Sequence, residues 1–518
     1  MNGCEKQKDI NAQTTNTQTA GAQQNKTPVS LNLQENIAVY KQIFADCADI
    51  KMREMKLGKN QKIGCMVAYI EVTGGSAIFE ESMVGKLLND LSNRSDDEIC
   101  KRLKENALGL SDATPFPTME EAADGMLTGD MILFIDGYDQ ALKIPDKGYP
   151  RMSITETTSE KVIRGSNEGF TDSVKSNTAL IRKRIRTPNV KVKEIKIGVR
   201  SKTNVDLVYI DDLIHKEVLD EVMRRLDKFE IDGVLDSGIL EQLSEEKWYS
   251  PFPQFQTTQR PDRAAMSILE GRIVVICDNS PVALILPTDY NSFIQTSDDY
   301  YNRWEIASFG RLLRYVASFF AMTLPGLYLV VCNFHTQILP TTLLLSFAAA
   351  RQGVPFPGVV EVLLMEISFE LLREAGVRLP GAMGNTIGIV GGLIIGQAAV
   401  QANLVSPIVV IIVAFTALCS FAIPNEEFAT AFRLLKFAFI GMCAWLGFFG
   451  FLLALLGLLI HLSRLSSFGI PYLMPFVGAD LNDYEDERDS LLRYPSFLQK
   501  RRPIFAKRDE RIRLKRKE

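Results

Sequence analysis

The chain has 518 residues, 46% of them hydrophobic, with 58 Lys and Arg against 62 Asp and Glu and a formal net charge of −4. That length exceeds one compact soluble domain, and the near-neutral balance sets aside a protein that binds nucleic acid through bulk positive charge. Eight cysteines lie scattered without a C-x-x-C pair, and the three histidines (His215, His335, His461) stand apart, so no zinc-type cluster is expected and the thiols read as small buried hydrophobes in a reducing compartment.

The composition is uneven along the chain. Residues 1–30 are polar, rich in Asn, Gln and Thr, and carry no apolar core of a secretory signal. Residues 1–32 are therefore expected to be a disordered polar tail. A first α/β soluble subdomain is expected over residues 33–150. It holds a helix over 35–50, a buried strand over 62–70, and helix-period segments over 79–91 and 96–106. A hairpin follows, with strands 131–135 and 141–144 around Asp136-Gly137. A second α/β subdomain is expected over 151–301. Its elements are a helix ending at Pro188, strands over 190–199 and 205–210, an amphipathic helix over 217–229, a hairpin around Asp278-Asn279-Ser280-Pro281, and a short helix over 289–295.

From residue 302 the pattern changes to that of an α-helical polytopic membrane domain, 302–478. Residues 315–334 are long and apolar enough to cross a bilayer, with Pro325-Gly326 predicting a kink. Residues 338–350 are short for a span and read as a re-entrant or half-span helix. Residues 358–375 form a helix with Gly376 as its C-cap signal, 383–402 and 404–423 are two further spans, and 437–462 is another, long enough to tilt or to break near Gly447–Gly450. Arg303, Arg311 and Arg314 precede the first span. The last segment, 479–518, reads as a basic cytoplasmic tail; residues 493–518 hold eleven Lys and Arg against three Asp and Glu. An even number of spans keeps both ends in the cytoplasm, as the positive-inside rule favours.

Two constellations stand out in the membrane region. On the 358–375 helix, with Glu361 set at zero, Glu366, Glu370 and Glu374 fall at about 140°, 180° and 220° and share a face, while Glu361 stands within the apolar arc. An interfacial helix with a solvated acidic face explains this pattern, and so does a water-filled path lined by acids, since ionisable groups at membrane depth usually face a cavity. On the second reading Glu361, Glu366 and Glu370 are the candidate ion-path residues. Gly384, Gly388, Gly392 and Gly396 recur every four residues and form a helix-packing stripe, within the chain or between subunits. In the soluble part, Arg164, Gly165, Glu168, Gly169 and Phe170 mark a defined loop, read as a subdomain or subunit contact. It lacks the Gly-Lys-Ser/Thr ending of a phosphate-cradling loop. No catalytic constellation, nucleotide motif or cofactor site is evident, and no internal repeat is apparent.

Several stretches together resemble a known family. They include Val162-Ile-Arg-Gly-Ser-Asn-Glu-Gly-Phe-Thr171, Ile231-Asp-Gly-Val-Leu-Asp-Ser-Gly238, Tyr249-Ser-Pro-Phe-Pro253, Leu363-Leu-Met-Glu366, Glu374-Ala-Gly-Val-Arg-Leu-Pro380, Ile395-Gly-Gln-Ala-Ala-Val-Gln401 and Phe468-Gly-Ile-Pro-Tyr472. In this order they resemble the A subunit of the GerA-type germinant receptors of endospore-forming bacteria. The chain departs from that pattern at Ser166, where the family often has proline, and at Gly148-Tyr149-Pro150, where an Arg-Gly-Trp-like turn is usual. The resemblance implies a two-part cytoplasmic domain on a membrane domain in the spore inner membrane. Implied partners are a transporter-like B subunit and a lipoprotein C subunit. It also implies an oligomeric ring acting as a nutrient-gated ion channel that releases monovalent cations, with small-molecule sensing mostly on the B subunit. Paralogues that amplify ion release share the architecture. A transporter and a non-conducting, membrane-anchored signalling scaffold are the other readings weighed. No enzyme activity and no cofactor are expected.

Overall fold

The computed structural model describes residues 27–72, 88–91, 94–95, 98–99, 113–145, 160, 162–378, 392, 394–482 and 484–514. The polar tail and most of the helix-period segments over 79–106 lie outside the described residues. The chain divides into two compact units, Met1–Arg151 with Arg186–Pro188, and Met152–Ile185 with Asn189–Glu518.

The first unit holds α1 (Leu33–Ile43), β1 (Ile50–Leu57), β2 (Ile63–Ile70), β3 (Thr114–Phe116), α2 (Met119–Leu127), β4 (Met131–Ile135) and β5 (Ala141–Ile144). Its five strands are antiparallel in the order β1-β2-β4-β5-β3. Asn32 and Thr118 cap α1 and α2 by accepting from backbone amides of the first turn. One sheet face packs Met66, Ala68, Ile132 and Phe134 under both helices, as the two-residue alternation of a strand requires.

The second unit begins with α3 (Val174–Arg184), β6 (Val190–Ile197), β7 (Thr203–Ile210), α4 (Lys216–Leu226), α5 (Ser237–Ser244), β8 (Gln256–Thr258), α6 (Pro261–Leu269), β9 (Ile273–Cys277), β10 (Ala283–Leu286), α7 (Tyr290–Ile294) and α8 (Ser297–Tyr301). Its strand order, β6-β7-β9-β10-β8, repeats that of the first sheet, and every pair is again antiparallel.

The two sheets are copies of one design. Each strand of the first unit, together with α1 and α2, recurs about 140 residues later in the same position. The contacts recur too. Asn36 bonds both ways to Ser30 and Asn177 both ways to Thr171. Asp136 accepts from the Leu33 amide as Asp278 accepts from that of Val174. Val29 donates to the Pro117 carbonyl as Phe170 does to that of Gln259. No repeat was expected from the sequence; the strand pairing makes the duplication plain, and the shared Asn and Asp residues then fall at equivalent positions. Some matched core positions keep their residue, as Ala122 and Ala264, Ala123 and Ala265, and Ala141 and Ala283 do, while others differ, as Phe134 and Ile276 do.

Among the described residues the helical layer consists of α9 (Trp304–Asn333), α10 (Thr341–Ala350), α11 (Gly358–Arg378), the helical residues 394–401, α12 (Pro407–Phe421) and α13 (Glu426–Arg464). Of the described helices, α9 and α13 are long and apolar enough to cross a membrane. α9 starts eleven residues before the predicted span and runs on through Pro325 as one helix. α11 continues past Gly376, the predicted cap, to Arg378.

α13 differs most from expectation. As one straight helix its 39 residues would extend about 58 Å. Yet the Phe252 ring lies 5.8 Å from Phe428, 5.7 Å from Phe432 and 6.2 Å from His461. Both ends therefore meet at one place, and the helix folds back at Gly447 (φ 61°, ψ −137°). Only glycine tolerates that backbone, and a Cβ there would also sit 2.9 Å from the Phe334 ring. The segment read as a span, with a break near Gly447–Gly450 as the alternative to a tilt, is thus two antiparallel limbs that turn at Gly447. Glu366 and Glu370 of α11 meet Lys436 and Arg433 of α13 in reverse order. Glu361 and Arg373 meet Ser406 and Ser420 beside α12 in the same order. The layer accordingly runs out along α9, back along α11, out along 394–401, back along α12, and out and back along α13. It starts and finishes beside the second sheet, where Ser250 bonds His461 and Lys247 bonds the Arg464 carbonyl.

The tail folds onto the second sheet. Ala506 bridges Ile214 and its carbonyl meets the His215 ring, while Phe505 lies under the Arg272 guanidinium at 3.9 Å. Gly271 (φ 91°) lets the tail approach; a Cβ there would sit 2.7 Å from the Ala506 backbone.

Candidate functional site

α11 starts beyond Pro357, and its period places Gly358, Glu361, Val362, Met365 and Glu366 on the buried stripe. Glu361 and Glu366 flank Val362 and Met365 on one inward arc, and both glutamates are interior, at 0% and 2% exposure. The acidic face changes character along the helix. Glu366 is buried, Glu370 is part-exposed and Glu374 is exposed.

Glu361, Glu366 and Glu370 have cationic partners inside the chain. Glu366 Oε2 lies 2.5 Å from Lys436 Nζ, and the lysine is itself 5% exposed. Its other oxygen, Oε1, is buried without a hydrogen bond. Glu361 Oε2 accepts from the Ser406 amide at 2.8 Å, at the N-cap of α12. Arg351 Nη2 comes within 3.3 Å of Glu361 Oε1, an ion-pair approach without hydrogen-bond alignment. Glu370 lies 3.4 Å from Arg433, which also reaches Glu426 at 3.1 Å. Arg373 donates to Ser420 and stacks on Phe421. Charges at this depth bind α11 to α12 and to α13, because an unpaired charge in an apolar layer is costly. The outer surface is the reverse: Ile411, Phe415, Leu418, Trp445, Phe449 and Leu456 are exposed.

Of the glycine stripe, Gly384 and Gly388 lie outside the described residues. Gly392 faces the Phe369 ring at 3.7 Å, and Gly396 faces Val410 at 3.3 Å, each measured from an added Cβ. These two sit between α11 and α12 within one chain.

The 164–170 loop is held inside the second unit. Glu168 binds Lys183 and Arg184, each at 2.6 Å. Burial alone would raise the Glu168 carboxyl, but these hydrogen bonds and charges hold it below its ordinary range. Gly169 is buried, Phe170 joins the core, Arg164 is exposed, and Gly165 (φ 132°) abuts Tyr301. Arg260, 1% exposed, clamps the loop through the Ser166 carbonyl and pairs with Asp262, which accepts from the Tyr301 hydroxyl.

Sequence reasoning missed Lys436, Arg433 and Arg351 as partners of the acids, and Arg311 as a hub. In the sequence Lys436 and Arg433 only flank a span, and the clue was a cation close to an apolar run opposite a helix of acids. Arg311 is fully buried. It bonds Asp299 at 3.1 Å and Asp489 at 2.7 Å, joining the first turns of α9 to the tail. Burial would raise the Asp299 carboxyl, but Arg314 and Arg311 hold it below its usual range. Beside this hub is a small cleft of about 60 Å³, lined by Glu270, Asp289 and Asp486 with Arg272 and Arg513. Burial pushes the Asp486 carboxyl up to about 7 against the Asn482 hydrogen bond, and Asp289 adds to the rise. Among the described residues no group of His, Cys, Asp and Glu fits a metal ion.

Residues 38–505 match the model of the Bacillus/Clostridium GerA spore germination protein family. The uncharacterized membrane protein YfkQ of Bacillus subtilis (strain 168) is 40% identical over 92% of this chain and 91% of its own length. Spore germination protein KA of the same organism is 38% identical over 94% and 88%. A crystal structure of the N-terminal domain of the A subunit of the Bacillus megaterium spore germinant receptor GerK3 is 28% identical, with a TM-score of 0.39, and covers 51% of this chain and 97% of that one. With a family match over most of its length and relatives this similar across nearly all of theirs, the chain belongs to the GerA spore germination protein family.

Proposed function

We propose that this protein is the A subunit of a nutrient germinant receptor in the spore inner membrane. In this reading residues 302–478 form the polytopic membrane domain, 33–150 and 151–301 are cytoplasmic subdomains, and 479–518 stay on the cytoplasmic side. It assembles as an oligomeric ring with a transporter-like B subunit and a lipoprotein C subunit. Nutrient binding in that complex opens a path for monovalent cations. The observation that carries the reading is the inverted helical layer, with charged pairs Glu366–Lys436 and Glu370–Arg433 and the buried Glu361 inside, and large apolar side chains outside. Ionisable residues at such depth mark ion pathways more often than scaffolding. Glu361, Glu366 and Glu370 are the path residues in this reading, and Gly384, Gly388, Gly392 and Gly396 pack the central helix.

The test is germinant-dependent potassium efflux from liposomes or vegetative cells carrying the protein with its B and C partners. Joint neutralisation of Glu361, Glu366 and Glu370 is expected to change flux and selectivity. Unchanged flux and selectivity removes the path assignment. The close pairing of these acids within one chain also favours a non-conducting scaffold, which predicts no germinant-dependent efflux from the intact complex.

A further inference from the structure

The first third of α9 is inverted in the same way as the rest of the layer. Ser308 and Arg311 face inward and are buried, and Ala307 lies with them. Ile306, Phe309, Leu313 and Val316 form the outward stripe and are 64%, 70%, 55% and 45% exposed. A helix in water shows the opposite pattern. The tail lies along this stretch. Ser308 Oγ accepts from the Arg493 amide at 3.0 Å, Arg493 reaches the Asn302 carbonyl, and the Phe476 ring lies 6.3 Å from that of Tyr315. The tail too turns apolar groups outward: Phe476, Leu492, Tyr494 and Phe497 are 51%, 51%, 42% and 68% exposed. Phe476, Leu491, Leu492 and Tyr494, together with the charged Glu487 and Arg488, line an open groove of about 500 Å³.

We infer that residues 476–498 and the first three turns of α9 form a collar immersed in the acyl–headgroup boundary of the bilayer, with lipid acyl chains in the groove. This rests on the reading of α9 as a membrane span. The occupant follows from continuity. The outward stripe passes without a polar break from Ile306 and Phe309 through Val316 into the apolar run. Trp304, 44% exposed, stands at its head, where amphipathic rings settle at the headgroup level. Lys500 and Arg501, both exposed, follow the groove directly and suit anionic headgroups. The second sheet therefore rests on the membrane through its own tail rather than on a stalk.

The exposed Trp248, Trp304 and Trp445 allow single-tryptophan chains to be built by replacement with phenylalanine. The full-length chain carrying Phe497→Trp or Leu492→Trp as its one tryptophan is reconstituted in phosphatidylcholine–phosphatidylglycerol vesicles containing brominated lipids. A chain keeping only Trp445, 76% exposed on α13, is the control for the membrane reading. The collar predicts that the single tail tryptophan of the Phe497→Trp chain, and that of the Leu492→Trp chain, is quenched more by lipids brominated near the carbonyl end than near the methyl end. If Trp445 is quenched and neither tail tryptophan is, the collar is wrong and the membrane reading stands. If Trp445 is unquenched as well, the membrane reading fails and takes the collar with it. Tail tryptophans that are shielded from lipid and blue-shifted only at high protein-to-lipid ratio would assign the groove to a second copy of this chain and overturn the proposal.

Discussion

Removing Lys436 leaves the Glu366 carboxylate in the middle of the helical layer with no counter-charge. Both side chains are nearly inaccessible, at 7% and 2%. At 2.5 Å and an effective dielectric of about 20, the attraction between unit charges is about 7 kcal/mol, much of it offset by the cost of taking both ions out of water. Breaking a buried pair from one side costs about 3–5 kcal/mol, whereas replacing both ions by neutral groups of similar volume is often neutral or stabilising. Lys436→Met and Glu366→Gln are each expected to lower the unfolding free energy by about 3–5 kcal/mol, and the double substitution by less than either alone. The measurement is unfolding of the purified protein in mixed detergent micelles, followed by tryptophan fluorescence, for the four members of the cycle. Additive losses would mean that the two charges are solvated separately, and the reasoning from burial would be refuted.

Gly447→Ala places a Cβ on a backbone at φ 61° and against Phe334, so a thermal-unfolding scan is expected to show a loss of about 1–3 kcal/mol. Adding Phe334→Ala removes only the contact; full recovery on doing so would show that backbone strain is not the cause. The Asp486 carboxyl titrates at about 7 when folded, above its ordinary value when unfolded. The folded state then binds more protons between those values, and this group's contribution to stability is present at low pH and lost as pH rises toward 7 and beyond. Asp486→Asn is expected to flatten that decline in pH-dependent denaturation curves. A wild-type curve with the same slope as the variant's would contradict it.

The strands over 131–135, 141–144, 190–197 and 203–210 were legible because two-residue alternation and turn residues act over short range. β1 escaped notice because the adjacent charges Arg53 and Glu54 break the alternation of Ile50–Leu57 and the segment reads as polar. The duplication escaped because the residues the copies share, such as Asn36 and Asn177 or Asp136 and Asp278, are scattered singly, and only the strand pairing shows them to be equivalent. At the candidate site, the angular spacing of Glu361, Glu366, Glu370 and Glu374 was correct as geometry. It did not say which arc faced inward. The usual rule sends the acids outward, and in this layer, whose exposed surface is apolar, the acids at Glu361 and Glu366 lie inside.

By itself the sequence determined the family, the change from α/β units to an apolar helical region, the positions of several strands and helices, and the presence of acids on one helix. These depend on local propensity, on period and on matched motifs, all properties of contiguous residues. The tertiary structure alone decided that Glu366 meets Lys436, 70 residues away, that α13 folds back at Gly447, and that the basic tail returns to the second sheet through Arg311 and Asp489. Each depends on which surfaces meet when the helices pack. A helix of given length and composition is compatible with many such neighbours, and it is the cost of leaving charges unpaired in an apolar layer that selects among them.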